Sequence, residues 1–567
     1  MNSNNSIACP LDCFDTCEAS YNDGKIKASS SHIPTNKKLC VNFAKLLKEE
    51  TFSTAFYEKK EISLKSALKI LVEKLKNTKA VKTLYYKGSG NLGVLQSYPK
   101  TFFAKYGSVF TQGGLCDNIG SHALETSRGG ANINPPLEYL INADVIICWG
   151  RNFTVTSSHM YKLVKDKIFI TIDPMTTPIA KKSELHLQIK PKTDHELALL
   201  LTQMLYLNNI EDKEFINEHE GHKFYELACK RSIDSYIKTL DLKIEDIHSF
   251  INLIKGKKIA LMLGLGAQKY YEGASIFRSI DSFAASMGLH NTSRSAGGVW
   301  YLADGSYGYE KQLSVNPKKR VDISCIDYSD YDLVFIQGGN VLVSNPNTQK
   351  IKEALKNTFV VFFGTTKNES CEYANLIIPA STFLEKKDVR LSYGHEYKSI
   401  SYVHEYNDDK ISEYNLSKYL FEAFDYEGLK EEEDVFNYYK NAKAKSFEIK
   451  NYNFINHFEI KNLYEIKKEN EYFFITSKAK NSLNSQFTKD ESVYLHPNNI
   501  YASAKRIKLL SLYGSAEFLV VLNSDIREDC VLCYSGNKYA NYLTPSLSDE
   551  VAFSAILQEV LVRIELP

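Results

Sequence analysis

Three cysteines stand at regular intervals near the start of the chain, Cys9, Cys13 and Cys17 in the run CPLDCFDTC, and a fourth, Cys40, follows after 22 intervening residues. Four thiolates from one short region offer the soft donors that a [4Fe–4S] cluster prefers. A structural zinc site is the first rival, but zinc knuckles usually carry two Cys-x-x-Cys pairs and this group has none. A radical-SAM cluster uses three cysteines with a shorter second gap. Buried, unligated thiols are the bland alternative. Pro10, Asp12, Asp15 and Thr16 lie between the thiols, and such small or turn-forming residues suit a backbone that folds tightly around a cluster. The whole chain has only 11 cysteines in 567 residues, an odd number, so it is not a disulfide scaffold.

The elements that must position these thiols follow a regular grammar. Leu64–Leu75 has helical apolar spacing. Val81-KTLYY, Ala143-DVIICWGRN, Lys167-IFITIDP, Lys257-KIALMLGLGAQ, Tyr331-DLVFIQGGN and Thr358-FVVFFGTT read as apolar strands, most of them tipped by glycine, asparagine or aspartate and separated by helical patterns. Strand, small residue, helix is the order of a doubly wound parallel sheet, which binds ligands at the carboxyl ends of its strands. None of these tips is a full GxGxxG. Beyond about residue 455 short strands alternate with turns, as in a compact β domain. The Lys/Glu-rich stretch 427–445 reads as solvated helix and linker.

A formal net charge of +1 gives no electrostatic case for nucleic acid or an anionic membrane surface. No run of about 18 apolar residues occurs, so no transmembrane helix is expected. The run MNSNNSIACP lacks a basic and apolar leader and a twin-arginine pair, which makes the cytoplasm the expected location. The length calls for two to four domains.

Taken in order, these segments resemble the molybdopterin oxidoreductase family of formate dehydrogenases, nitrate reductases and dimethyl sulfoxide reductase. CPLDCFDTC with Cys40 looks like its iron–sulfur segment. GSGNLG (88–93), YPKTFFAKYGS (98–108), ADVIICWGRN, ITIDP and AKKSELHLQIKPKTDHELALLL (180–201) resemble its cofactor-contacting loops, as do GLGAQKYYEG (264–273), FIQGGN (335–340) and EYANLIIPASTFLEKKD (372–388). LNSQF (483–487), LHPNN (495–499) and ANYLTPSLSD (540–549) resemble its last domain. The resemblance implies an α/β fold with a [4Fe–4S] segment over 1–55. Molybdopterin-binding lobes would follow over 56–455 (56–130 plus 326–455, and 131–325), then a double-psi, aspartate-decarboxylase-like β-barrel over 456–567.

The resemblance also implies molybdenum or tungsten held by two pterin guanine dinucleotides. The segment QGGLCDNIGSHAL (112–124) puts Cys116 at the place of the protein ligand to that metal, a soft donor for a sulfur-ligated centre. Asp117 and His122 are the nearest polar groups for proton handling. The matched motifs imply cofactor contacts at Gly150, Asn152, Asp173, Thr193, Asp194, Gly264 and Gly266. Further contacts are implied at Gly339, Asn340, Thr366, Thr476, Gln486, Asn541 and Tyr542. Cys148 reads as core, and Cys530 and Cys533 as structural. Two positions depart from the pattern. Asn42 stands where many cluster-bearing members have a lysine between cluster and pterin, and Asp117 stands where formate dehydrogenases have a histidine. The expected activity is two-electron redox of a small substrate, with electrons exchanged through the cluster with a separate iron–sulfur subunit or ferredoxin-like protein. An electron-transfer subunit without molybdenum and a non-redox hydratase are the alternatives.

Overall fold

A computed structural model describes residues 5–90, 92–129, 134–291, 296–301, 309–445, 449–487 and 490–567. Asn91 of the GSGNLG run lies outside them.

The apolar runs become central strands because both faces of a parallel sheet are covered by helices. Val145–Trp149, Ile168–Ile172 and Ile259–Leu263 are almost wholly buried and run parallel in a five-stranded sheet, with Leu185–Leu187 at one edge and Gly298–Trp300 at the other. The helices Asp194–Leu207 and Gly273–Ser286 pack against each other beside this sheet, and both are buried along nearly their whole length.

A second, eight-stranded sheet is centred on Thr83–Lys87, Leu333–Gln337 and Phe359–Gly364, again parallel. Its far edge is the antiparallel pair Ala55–Tyr57 and Lys60–Ile62. The other edge is Lys319–Asp322, so the expected lobe boundary at 325/326 falls just after a strand of this sheet. Ser63 caps the predicted helix, Leu64–Asn77, by accepting from the Ser66 amide.

The last part of the chain closes six strands between Glu471 and Glu565 into a barrel. At the other end a three-stranded antiparallel sheet (Ser6–Ala8, Glu18–Asn22, Lys25–Ala28) carries the cysteine loop between its first two strands. The mixed α/β architecture with a terminal barrel is the expected one.

One expectation is met only in part. The stretch 427–445 does hold a helix, Glu432–Asn441, but that helix is not merely solvated: it buries Val435, Phe436 and Tyr439 against Leu95, Tyr98 and Val389. Its acidic and basic residues mask an apolar stripe at i, i+1 and i+4. Among the described residues no helix is long and apolar enough to cross a membrane.

Candidate functional site

The carboxyl ends of the five-stranded sheet open on a cavity of about 740 Å³, whose wall is drawn from segments scattered between Cys9 and Gln558. Gly150 turns the chain at the end of Val145–Trp149 with φ of 59°, and a Cβ on Gly264 would lie 1.7 Å from the Gly150 carbonyl oxygen. Neighbouring strand ends therefore approach more closely than any larger residue at 264 permits. Arg151, next in line, stacks 4.6 Å from the Phe14 ring and donates to Ser157, while its Nε is buried without a partner among the described residues.

Two carboxylates, Asp173 half-buried and Asp194 buried, face this cavity from adjacent turns. Asp173 accepts from the Met175 amide at 2.9 Å, and Asp194 accepts from the Trp149 indole at 2.7 Å. Burial pushes Asp173 up to about 7, with Asp194 adding repulsion, and burial pushes Asp194 itself to about 6.

Cys116 sits on a strand–turn–helix connection from the eight-stranded sheet: Val109–Gln112, a glycine turn, then Asn118–Ser127. Gly113 has φ of 67°, and a Cβ there would meet the Phe553 carbonyl at 1.7 Å. Two fully buried side chains hold the loop. Gln268 donates to the Cys116 carbonyl at 2.8 Å and accepts from the Gly120 amide, and the Tyr301 hydroxyl donates to the Asp117 carbonyl at 2.7 Å. The Cys116 side chain is open to the cavity, yet the surrounding wall pushes its thiol up to about 11, helped by Asp117 and opposed by Lys478 and Lys269.

The four N-terminal thiols line the same cavity. The Cys9 amide donates to the Cys17 carbonyl at 2.8 Å, which closes the loop. Asp15 accepts from the His159 and Met160 amides at 2.9 and 3.0 Å and so caps the helix Ser158–Val164 from a distance. Arg390 donates to the Pro10 and Cys13 carbonyls at 3.2 and 3.3 Å. Burial pushes Cys9 up to about 12 and Cys13 and Cys17 well above an ordinary thiol, and Cys40 adds repulsion on each of the three.

Of the residues singled out in the sequence, Cys9, Cys13, Cys17, Cys40, Cys116, Asp117, Gly150, Asn152, Asp173, Asp194, Gly264, Gly266 and Thr476 meet in one wall. Thr193 lies just behind it, its hydroxyl donating to the Lys190 carbonyl at 2.8 Å. Gly339, Asn340, Thr366, Gln486, Asn541 and Tyr542 are not part of that wall. His122 is on the exposed side of its helix, also outside the wall. Asn42 is in the wall, whereas Lys45 turns its ammonium to the Asn481 carbonyl at 2.6 Å.

Cys148 is fully buried in its strand. Cys530 and Cys533 are three apart on one strand and so point to opposite faces, Cys530 into the core shared with the five-stranded lobe and Cys533 into the barrel interior.

Sequence reasoning missed the charge of this cavity. Its wall carries ten cationic side chains, among them Lys162, Lys190, Lys192, Lys269, Lys478 and Lys480, against five aspartates. The formal net charge of +1 conceals this because the balancing acids lie elsewhere. The only signal was the recurrence of lysine beside the strand ends.

A large, cationic, strand-end cavity fits a dinucleotide cofactor: cations suit pyrophosphate, the Arg151 Nε awaits an acceptor, and the raised aspartates suit N–H or O–H donors. The four N-terminal thiols are a soft donor set fit for iron. Among the described residues no group of three or more His, Cys, Asp or Glu is disposed around a single metal ion.

Fold and site together define a cofactor-binding protein of two parallel-sheet lobes, a cysteine-bearing front and a closing barrel. The sequence profile of the molybdopterin oxidoreductase family matches residues 60–423, and the chain belongs to that family. It is 26% identical over 425 residues to the probable oxidoreductase YyaE of Bacillus subtilis (strain 168), covering 68% of this chain and 63% of that one. It is 26% identical over 352 residues to the assimilatory nitrate reductase catalytic subunit of the same organism, covering 53% and 49%. The chain thus spans less than two thirds of the length of either relative. Among solved structures, acetylene hydratase from Pelobacter acetylenicus has the same fold, with a TM-score of 0.77 over the full length of both chains at 14% identity.

Proposed function

We propose that the chain is a molybdenum- or tungsten-dependent oxidoreductase with two pterin guanine dinucleotides and a [4Fe–4S] cluster, carrying out two-electron redox of a small substrate. The observation that carries this reading is that Cys116 and the four N-terminal thiols open on one cationic cavity. Bound there, the metal–pterin group supplies the two-electron chemistry. Cys116 presents a soft thiolate to it, at a height fixed by Gln268 and Tyr301. Asp117, beside it in the wall, is the group nearest to hand for a proton, whereas His122 is not carried into this role. Asp173 and Asp194 accept hydrogen bonds from the cofactor, and other cations of the wall, Lys162 and Lys190 among them, balance its phosphates. Cys9, Cys13, Cys17 and Cys40 would hold the cluster, which would supply single-electron exchange with a separate partner protein in the cytoplasm.

Elemental and pterin analysis tests this reading. Molybdenum or tungsten near one per chain, with about four irons per chain and two pterins, is the expected result, iron counting as one [4Fe–4S] cluster. Iron without molybdenum or tungsten would reduce the chain to an electron-transfer or structural subunit. Turnover with viologen dyes is then to be measured on formate, nitrate, sulfoxides, thiosulfate and polysulfide. Turnover needing no electron acceptor would assign a hydratase instead.

A further inference from the structure

The Gln268–Lys269 step does two jobs on one short turn. Gln268 is fully buried and bound at both ends of its amide, to the Cys116 carbonyl and to the Gly120 amide. Lys269 is tied through its backbone, its amide donating to Gly266 and its carbonyl accepting from Gln558 at 3.0 Å. Its side chain is half-buried in the cavity wall, beside Cys116 and Asp117.

Most other cations of this wall already have partners. Lys192 is held between Glu272 and Glu559, both at 2.7 Å. Arg151 is engaged with Ser157 and Phe14. Lys478 and Lys269 act most strongly among the cations on the Cys116 thiol, but Lys478 donates to Asn484, which in turn donates to Asp12 at 3.0 Å. The Lys269 ammonium has no hydrogen-bond or ion-pair partner among the described residues. A half-buried ammonium with no hydrogen-bonded partner is costly unless an anion meets it.

We propose that Lys269 is a specificity-determining residue that draws a small anionic substrate, an oxyanion or carboxylate, to the metal held by Cys116. The proposal rests on the reading of Cys116 as the metal ligand. Without this ammonium the Cys116 thiolate and Asp117 would repel an anion, whereas a neutral S-oxide or N-oxide would be indifferent to it.

The test compares nitrate with dimethyl sulfoxide, an anion and a neutral molecule. Both are titrated into holoenzyme while the metal-centred EPR or visible signal is followed. Wild type is expected to bind nitrate more tightly than the sulfoxide. Lys269→Gln should weaken nitrate by roughly tenfold or more with the sulfoxide unchanged, and Lys269→Arg should restore nitrate. Equal weakening of both, no change for nitrate, or no response of wild type to either would overturn the proposal. Loss of pterin from Lys269→Gln would overturn it too, since Lys269 would then hold cofactor rather than substrate. Failure in any of these ways with metal and pterin present in wild type leaves the oxidoreductase reading standing; absence of metal from wild type sinks that reading itself.

Discussion

The two parallel sheets are written in the same grammar and end differently. In the five-stranded sheet the central strands finish in Gly150, Asp173 and Gly264, and all three turns open on the cavity. In the eight-stranded sheet the ends divide. Thr83–Lys87 and Val109–Gln112 lead to wall residues, Cys116 among them. Leu333–Gln337 and Phe359–Gly364 end in turns that close on each other. The Asn340 amide donates to Glu369 at 2.8 Å, Ser370 donates to Asn340, and Asn368 donates to the Gly339 carbonyl at 3.0 Å. The barrel then seals this side, with Asn541 donating to the Val343 carbonyl and Lys352 lying 5.6 Å from the Tyr542 ring. A glycine–asparagine strand end marks a sharp turn in both sheets. In one sheet these turns open on the cavity, and in the other neighbouring side chains satisfy them.

Four substitutions would break or sharpen this contrast. The largest effect belongs to Cys116→Ala, which removes the thiolate that the eight-stranded sheet delivers; turnover should fall on the order of a hundredfold or more with iron content unchanged. Cys13→Ser should abolish the iron-linked visible absorbance and electron exchange with external carriers while pterin is retained, because Asp15 and Arg390 still hold the loop. Iron content equal to wild type would refute the cluster.

The third test, Asp173→Asn, depends on pH. The folded carboxyl is pushed up to about 7, so the fold holds this proton more tightly than the unfolded chain does. The stability so contributed is full in acid and is lost as pH rises from about 4 to about 7. In cofactor-free protein the advantage of Asp173→Asn over wild type should therefore grow across that window, to on the order of 1–4 kcal/mol, and level off above it. Urea titrations at several pH values measure it. In loaded protein donors from the cofactor should cancel that advantage, and pterin content of the variant should drop. The smallest effect is expected at Asn340→Ala, a cost of about 1–2 kcal/mol from the broken seam with full pterin content. Pterin loss there would restore Asn340 to the cofactor site.

The strands were legible because a parallel sheet buried on both faces writes unbroken apolar runs such as VIICW and IALML. The cysteine set was legible because four thiols in one segment are rare in so cysteine-poor a chain. The seam was not, since FIQGGN looks the same whether its asparagine meets a ligand or Glu369, 29 residues on. Nor was Gln268, a glutamine among small residues until the fold sets it 2.8 Å from a carbonyl 152 positions earlier. Long-range pairings of this kind leave no periodicity to read. The helix Glu432–Asn441 was legible as a helix but its buried face was not, because Val435, Phe436 and Tyr439 were outweighed by their charged neighbours.

The wall of the cavity has a consequence for how the protein is made. Its residues run from Cys9 to Gln558, and the chain Tyr393–Asp12–Asn484–Lys478 stitches the first loop to the barrel. A ribosome-bound chain lacking its last hundred residues has neither Lys478 nor Gln558 in place and leaves the chamber open on one side. The chamber is therefore complete only once the barrel has folded against the earlier parts of the chain.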